Sequence, residues 1–218
     1  MIYIPASNPE DWQKLLAEPE KHWKPKFSAH SLAYTWQNAK GFPKKVQDVF
    51  DACGIDNFAD IEMILGIPEY KVPLPGGTRS SQNDLFVMAR TPDDLIIIMV
   101  EGKVDESFGP FISDWEKDNT EGKTTRLAFL KNLLNISHLS IGSIRYQLLH
   151  RTASAVLTAQ KFNCTTALVL IHSFSDSDAS FPDYQQFLLL YGLHGKINGL
   201  TGPVNLHGVN TFWGWVKD

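Results

Sequence analysis

Two apolar segments joined by a short polar turn constrain this chain most strongly. They are residues 84–90 and 95–100, and residues 91–94, Thr-Pro-Asp-Asp, connect them. Such a pattern predicts an antiparallel β-hairpin. Counting back along both strands from the turn places Asp84 opposite Glu101. Both faces of the hairpin stay apolar until the strands end, which is typical of a sheet that is covered on both sides.

The open end of this hairpin concentrates charge. Asp84 and Glu101 would have Cβ atoms about 5 Å apart, and Lys103 follows on the same face because side chains repeat every second residue. Opposed carboxylates destabilise a sheet, and a divalent cation would offset their repulsion. From spacing alone two interpretations stay open: a metal site, or a structural salt bridge to Lys103. A register slip of one residue would place Asp84 on the other face.

Glu-x-Lys tripeptides occur at two other places in the chain. They are Glu69-Tyr-Lys71 and Glu121-Gly-Lys123. The first has no acidic strand partner upstream, and the second lies in a polar stretch before a helix. We therefore expect only the tripeptide at residues 101–103 to have a functional role.

Composition predicts an ordinary globular protein. The chain has 218 residues, 43% of them hydrophobic, and a net charge of −4, which argues against a protein that coats nucleic acid non-specifically. Its longest aliphatic run, residues 95–100, is far shorter than the roughly 20 residues of a membrane helix. The N-terminus lacks a signal-peptide pattern, and Cys53 and Cys164 lack metal-site spacing. We expect a cytoplasmic protein without a membrane partner.

The order of predicted elements indicates an α/β fold with a mixed β-sheet flanked by helices. We expect one domain over residues 1–218. Trp213 and Trp215 alternate at strand spacing and are interpreted as residues that fill the core or cover a sheet edge, with a base-stacking platform as the alternative. Predicted helices cover residues 10–20, 30–40, 44–53, 57–65, 124–135, 144–161 and 183–191, and predicted strands cover residues 70–74, with edge character, 84–90, 95–103, 167–171 and 209–216.

Asp84 followed at a distance by Glu101-Gly-Lys103 resembles the PD-(D/E)xK motif of the restriction-endonuclease-like nuclease superfamily. The predicted order of a helix, three strands, a helix and a strand (αβββαβ), at about residues 44–174, is similar to the core of that superfamily. Residues 81–90, 100–109 and 145–154 resemble a bacterial family of uncharacterised proteins assigned to it. One position departs from the motif, since Asn83 stands where a proline would precede the first acid.

The resemblance implies a role for each motif residue. Asp84 and Glu101, with the backbone carbonyl of Gly102, would bind Mg²⁺, for which Mn²⁺ could substitute. Lys103 would orient the attacking water and stabilise the charged transition state. Glu62 would be an additional metal ligand, with a solvated surface position as the alternative.

The long helix at residues 144–161 offers further candidates. Gln147, Arg151 and Ser154 form one polar stripe, which either faces the site or is solvated; Gln147 would assist catalysis and Arg151 would bind substrate. His150 is a candidate phosphate contact or a structural histidine. Weaker candidates are Asp105, Glu106 and His172.

The resemblance favours a Mg²⁺-dependent nuclease that hydrolyses phosphodiester bonds, with DNA as the expected substrate. A homodimer is an arrangement that the resemblance allows. The alternative is a superfamily member with weak or no catalysis that binds nucleic acid or protein. A third interpretation is an α/β domain whose carboxylate pair is only structural.

Overall fold

The computed structural model describes residues 6–218, and a six-stranded mixed open sheet lies at its centre. The first five residues of the predicted single domain lie outside the described range. Across the sheet the strand order is β1-β2-β3-β4-β6-β5. The strands are β1 (Glu62–Val72), β2 (Ser81–Arg90), β3 (Leu95–Lys103), β4 (Thr166–Ser173), β5 (Gly199–Leu206) and β6 (Val209–Lys217).

Eight α-helices accompany the sheet within residues 6–218. They are α1 (Glu10–Gln13), α2 (Pro19–His22), α3 (Ser28–Gln37), α4 (Lys44–Ala52), α5 (Ile112–Trp115), α6 (Glu121–Leu133), α7 (Tyr146–Lys161) and α8 (Phe181–Leu188). Short 3-10 turns cover Asp56–Phe58 and Leu189–Tyr191. In this described part of the chain, none of the helices has the length and apolar character needed to cross a bilayer.

The hairpin of β2 and β3 has the register expected from its turn. Arg90 pairs with Leu95, and the antiparallel pairing continues to Leu85 and Val100. Strand β4 then pairs parallel with β3 and with β6, and all of its residues are buried. A strand with neighbours on both sides and helices on both faces needs apolar side chains throughout, which explains the continuous run Ala167–Ile171.

Helices pack on both faces of the sheet and create two hydrophobic cores. Helices α6, α7 and α8 lie over one face, on the side of Met99 and Val169. Helices α3 and α4 lie over the other face, on the side of Val100 and Leu170. Trp213 and Trp215 are fully buried in the first core, as predicted.

One predicted helix was wrong, and one strand was missed. The helix predicted over residues 57–65 is the beginning of β1, in which Glu62 and Ile64 are exposed while Met63 and Leu65 are half-buried. This alternation has the period of a strand, and Pro68 is tolerated because β1 is an edge strand. Strand β5 was missed because its Gly, Pro and Asn residues have low strand propensity.

Candidate functional site

The polar end of the hairpin brings Asp84, Glu101 and Lys103 together on one face of the sheet. Asp84 and Glu101 occupy the positions just beyond the Leu85–Val100 pair. Beyond that pair, the Asp84 side chain links β2 to β3, since its Oδ2 accepts a 2.9 Å hydrogen bond from the backbone N–H of Gly102. Lys103 Nζ donates to Glu101 Oε1 over 2.8 Å. The three motif residues, Asp84, Glu101 and Lys103, are therefore neighbours in space.

Helix α7 completes the surroundings of Glu101, whose carboxylate is almost fully buried at 2% exposure. Gln147 Nε2 donates to Glu101 Oε1 over 2.6 Å, and Arg151 Nε donates to Oε2. These two residues lie four apart and so share one helix face. Lys103 Nζ also donates to Gln147 Oε1 over 3.0 Å. Although burial opposes ionisation, Arg151 and Lys103 hold the pKa of Glu101 below its ordinary value.

The loop after β3 fixes where α7 begins. The backbone N–H groups of Tyr146 and Gln147 donate to the carbonyls of Pro110 and Phe108, at 3.0 and 3.4 Å. The Phe108 ring lies 4.7 Å from Lys103 Nζ, a cation–π distance. The same loop thus positions the lysine and the helix that faces it.

Asp84 is less completely neutralised than Glu101. Its side chain is 19% exposed, and its closest cation is Arg151, with Nη2 3.5 Å from Oδ1. Burial and the negative charge of Glu101 raise the pKa of Asp84 to about 7, against the opposing effects of Arg151 and Lys103. The carboxylate therefore has capacity for a further positive charge near neutral pH.

A third carboxylate, that of Glu69 on β1, lies next to Asp84 and was missed by sequence reasoning. The pairs Pro68–Leu85 and Tyr70–Asn83 flank it, so Glu69 is aligned with Asp84. Its φ of 53° is unusual for a residue other than glycine. Gln82 Nε2 donates to Glu69 Oε2 over 2.6 Å. Burial and Asp84 raise the pKa of Glu69 to about 8.

Glu69 belongs to one of the Glu-x-Lys tripeptides that sequence reasoning set aside. Its alignment depends on the register of β1 against β2, and residues 73–80 between these strands form a loop too long to fix that register. Recognising the alternation at residues 62–65 as a strand is the signal that could have found it.

We call Glu69, Asp84 and Glu101 the carboxylate row. Its charges do not balance when all three residues are ionised, because within residues 6–218 the cations that act on them are Lys103 and Arg151. The oxygen donors of the row are the kind that Mg²⁺ prefers. Asp84 Oδ1 is free of protein hydrogen bonds in the described chain, whereas both oxygens of Glu101 accept bonds from protein groups. Within residues 6–218, no set of three or more His, Cys, Asp or Glu side chains forms a complete metal site.

A cavity of about 450 Å³ opens onto the row. Asp84, Glu101, Lys103, Gln147 and Arg151 line it from one side, and residues of the N-terminal helical region, such as His22 and Ser28, line it from another. A space of this size admits a small ligand or one unit of a polymer.

Other predicted residues lie elsewhere or act differently. Glu62 does not join the site, because it lies at the opposite end of β1 and forms an exposed 2.7 Å ion pair with Arg90. Ser154 donates to the His150 carbonyl of its own helix. His172 is on the opposite face of the sheet, where its Nδ1 accepts from Trp36 Nε1 over 3.0 Å.

Three predicted residues lie near the site without contacting its carboxylates. His150 Nδ1 is 2.8 Å from Ser81 Oγ, and burial together with Arg151 holds the pKa of His150 well below its ordinary value. Asp105 accepts a bond from Ser175 Oγ, and Glu106 accepts one from the backbone of Val104.

Comparison with known proteins gives a family for the chain. No curated protein and no solved structure matches it. The family model described as "Domain of unknown function (DUF6946)" matches residues 5–218, nearly the whole chain. The chain therefore belongs to the DUF6946 family.

Proposed function

We propose that this protein is a metal-dependent phosphodiesterase of the PD-(D/E)xK nuclease superfamily, acting on nucleic acid with DNA as the expected substrate. The observation that carries the proposal is the convergence of Asp84, Glu101 and Lys103 at the end of the hairpin, beside an open cavity. With α5 and α6 inserted between β3 and α7, the order α4, β1 to β3, α7, β4 supports the proposal of the superfamily core.

The residues of the site suit different parts of the reaction. Asp84 and Glu101 would hold Mg²⁺ or Mn²⁺, with the Gly102 carbonyl as a further oxygen donor. A bound ion of this kind polarises a phosphoryl oxygen and lowers the pKa of its water. Lys103 places a positive charge where negative charge develops on the phosphate. Gln147 holds the ammonium of Lys103 in place through its amide oxygen. Arg151 partly neutralises the negative charge of Asp84 and Glu101.

Cleavage is tested directly with supercoiled plasmid, single-stranded DNA and RNA in the presence of Mg²⁺ or Mn²⁺. We expect wild-type protein to cleave one of these substrates, and EDTA to stop it. Lys103→Met should lower the rate by about a hundredfold or more, since removal of one transition-state donor costs that much in other enzymes. Glu62→Gln, at the far end of the sheet, is the matched control. Equal rates for wild type and Lys103→Met would overturn the proposal.

A binding module without turnover is the second candidate, and one observation favours it. Lys103, Gln147 and Arg151 together occupy both oxygens of Glu101, so this ion-pair network is complete without a metal. Such a protein would bind nucleic acid equally well in EDTA and in Mg²⁺, and its melting temperature would not respond to millimolar Mg²⁺.

A further inference from the structure

A second cavity, which we call the flanking pocket, adjoins the site cavity and has a volume of about 350 Å³. Its walls are the loop at residues 76–81 and the side chains of Trp115, Lys123, Arg126, Tyr146 and His150. Tyr146 and His150 line both cavities. Ser81, at the end of the loop, contacts His150 on one side and Arg151 on the other. The flanking pocket is therefore next to the carboxylate row.

The flanking pocket is basic, in contrast to the row. Arg79, Lys123 and Arg126 line it, and none of the carboxylates in the described part of the chain does. Arg126 is only 8% exposed and donates to the backbone carbonyls of Pro75, Leu74 and Gly77 at 2.8 to 3.4 Å. Within residues 6–218 neither Arg79 nor Arg126 has an ion-pair partner, whereas Lys123 pairs with Asp118. A buried guanidinium without a counter-charge favours an anion nearby.

Aromatic rings provide the rest of the wall. Trp115 and Tyr146 are stacked, with centroids 4.2 Å apart and planes at 13°. Lys123 Nζ lies 5.2 Å from the Trp115 centroid, and His150 is tilted against Tyr146 at 4.8 Å. Rings beside unpaired basic groups are the combination that binds single-stranded nucleic acid, because every base has a π-face and every unit has a phosphate.

The position of the basic groups is built into the fold. Gly76 has a φ of +82°, and a Cβ there would lie 2.7 Å from the backbone nitrogen of Arg126. The loop therefore approaches helix α6 as closely as a glycine allows. This contact brings the loop carbonyls onto the guanidinium of Arg126 and holds it at the pocket wall.

We propose that the flanking pocket binds a nucleotide unit of a single-stranded nucleic acid, adjacent to the unit whose phosphate lies at the carboxylate row. Arg79 and Arg126 attract the phosphate, and Trp115 with Tyr146 packs against the base. The inference rests on the proposed function, since it takes the strand to continue from this pocket into the site cavity. It adds that the substrate is bound as a single strand.

The test measures binding of fluorescein-labelled oligothymidylate in EDTA by fluorescence anisotropy, across a series of salt concentrations. Arg79→Ala should weaken binding by about fivefold and lower the salt slope by about one. Trp115→Leu should weaken it by about fivefold or more while leaving the slope unchanged, because stacking releases no counterions. The matched control is Arg90→Ala, the exposed arginine at the other end of β2, which should bind like wild type.

The outcomes separate this inference from the proposed function. Binding by Arg79→Ala and Trp115→Leu that equals that of Arg90→Ala would overturn the pocket, whatever the cleavage assay gives. If wild type never cleaves and Arg79→Ala still binds more weakly, the pocket stands and the nuclease proposal fails. Preference for duplex over single-stranded DNA by more than tenfold would also overturn the single-strand assignment.

Discussion

Glu69 combines two costs that a protein tolerates only where the surroundings impose them. Its backbone lies in the left-handed region, which costs a non-glycine residue of order 1 kcal/mol or more. Its carboxylate is also buried beside Asp84, and this burial together with the charge of Asp84 raises the pKa of Glu69. Strained residues of this kind concentrate at functional sites. The carboxylate row therefore lowers the stability of the fold, and in return it holds three carboxylates side by side.

Replacement of Glu69 by glutamine tests whether the row holds a divalent cation. Without metal at pH 7, Glu69→Gln should melt at a higher temperature than wild type, because a pKa of about 8 makes Glu69 take up a proton on folding, whereas glutamine is already neutral. At a Mg²⁺ concentration ten times Kd, wild type should gain about 1.4 kcal/mol of stability, and the variant should gain less than half of that. Calorimetry with and without Mg²⁺ measures both effects. Glu62→Gln, on the same strand, should respond to Mg²⁺ like wild type; an unchanged response in Glu69→Gln as well would exclude Glu69 from metal binding.

The residues of the site that sequence could predict are those whose geometry follows from a single period. Asp84, Glu101 and Lys103 follow from strand alternation and one short turn, and Gln147 and Arg151 follow from helical spacing. Glu69 could not be placed in this way, since its position depends on the pairing of two strands separated by a long loop. Glu62 was misplaced for the same reason: a residue of an unrecognised strand has no predictable partner.

Local signals decided which elements were predicted. The hairpin of β2 and β3 combines apolar runs with a short turn, so its register was fixed by sequence. The segment that leads into β1 carries Asp60 and Glu62 among apolar residues, and Gly66 resembles a helix end, although the exposed and half-buried residues of β1 alternate. Strand β5 contains Gly202 and Pro203 and is held by its pairing with β6, a contact that sequence periodicity does not report.

The loop at residues 76–81 lies so close to helix α6 that one methyl group added at Gly76 should disrupt the contact between them. Gly76→Ala must accommodate both a positive φ and a Cβ against the backbone of α6, which we expect to cost about 2–4 kcal/mol. Gly54→Ala, where φ is also positive but no heavy atom of residues 6–218 other than Gly54 and its chain neighbours lies within 4 Å of the added Cβ, should cost about 1 kcal/mol. Urea unfolding of both variants measures the difference. Equal losses would mean that the loop is not held by this close approach.

In the whole molecule, two hydrophobic cores lie on opposite faces of one sheet, and helices α3 and α4 cover one of these cores. Trp36 of α3 reaches the sheet at His172, where its indole N–H donates to Nδ1. On the opposite face, α7 carries Gln147 and Arg151 to the carboxylate row. The sheet thus has a structural histidine on one side and the proposed chemistry on the other, at the same end of β3 and β4.

His172 should make the stability of the whole fold depend on pH. Burial lowers the pKa of His172 from 6.5 to about 3, so the imidazole stays neutral in the folded protein while it becomes protonated in the unfolded chain below pH 6.5. Protonation of Nδ1 would also remove the acceptor for the indole N–H of Trp36, because two N–H donors would then face each other. The nearest acid, Asp218, has its Oδ2 3.7 Å from Nε2 and does not offset burial.

Stability should therefore be fully present above pH 6.5 and should fall as the pH decreases towards 3, with an added slope of about 1.4 kcal/mol per pH unit from this group. His172→Asn keeps an acceptor for Trp36 and removes the titrating ring, so its free energy of unfolding should fall less steeply over the same range. His138→Asn, which changes an exposed histidine, should follow wild type. Urea unfolding at several pH values between 7 and 4 measures these curves, and parallel curves for wild type and His172→Asn would show that His172 is not the source of the acid sensitivity.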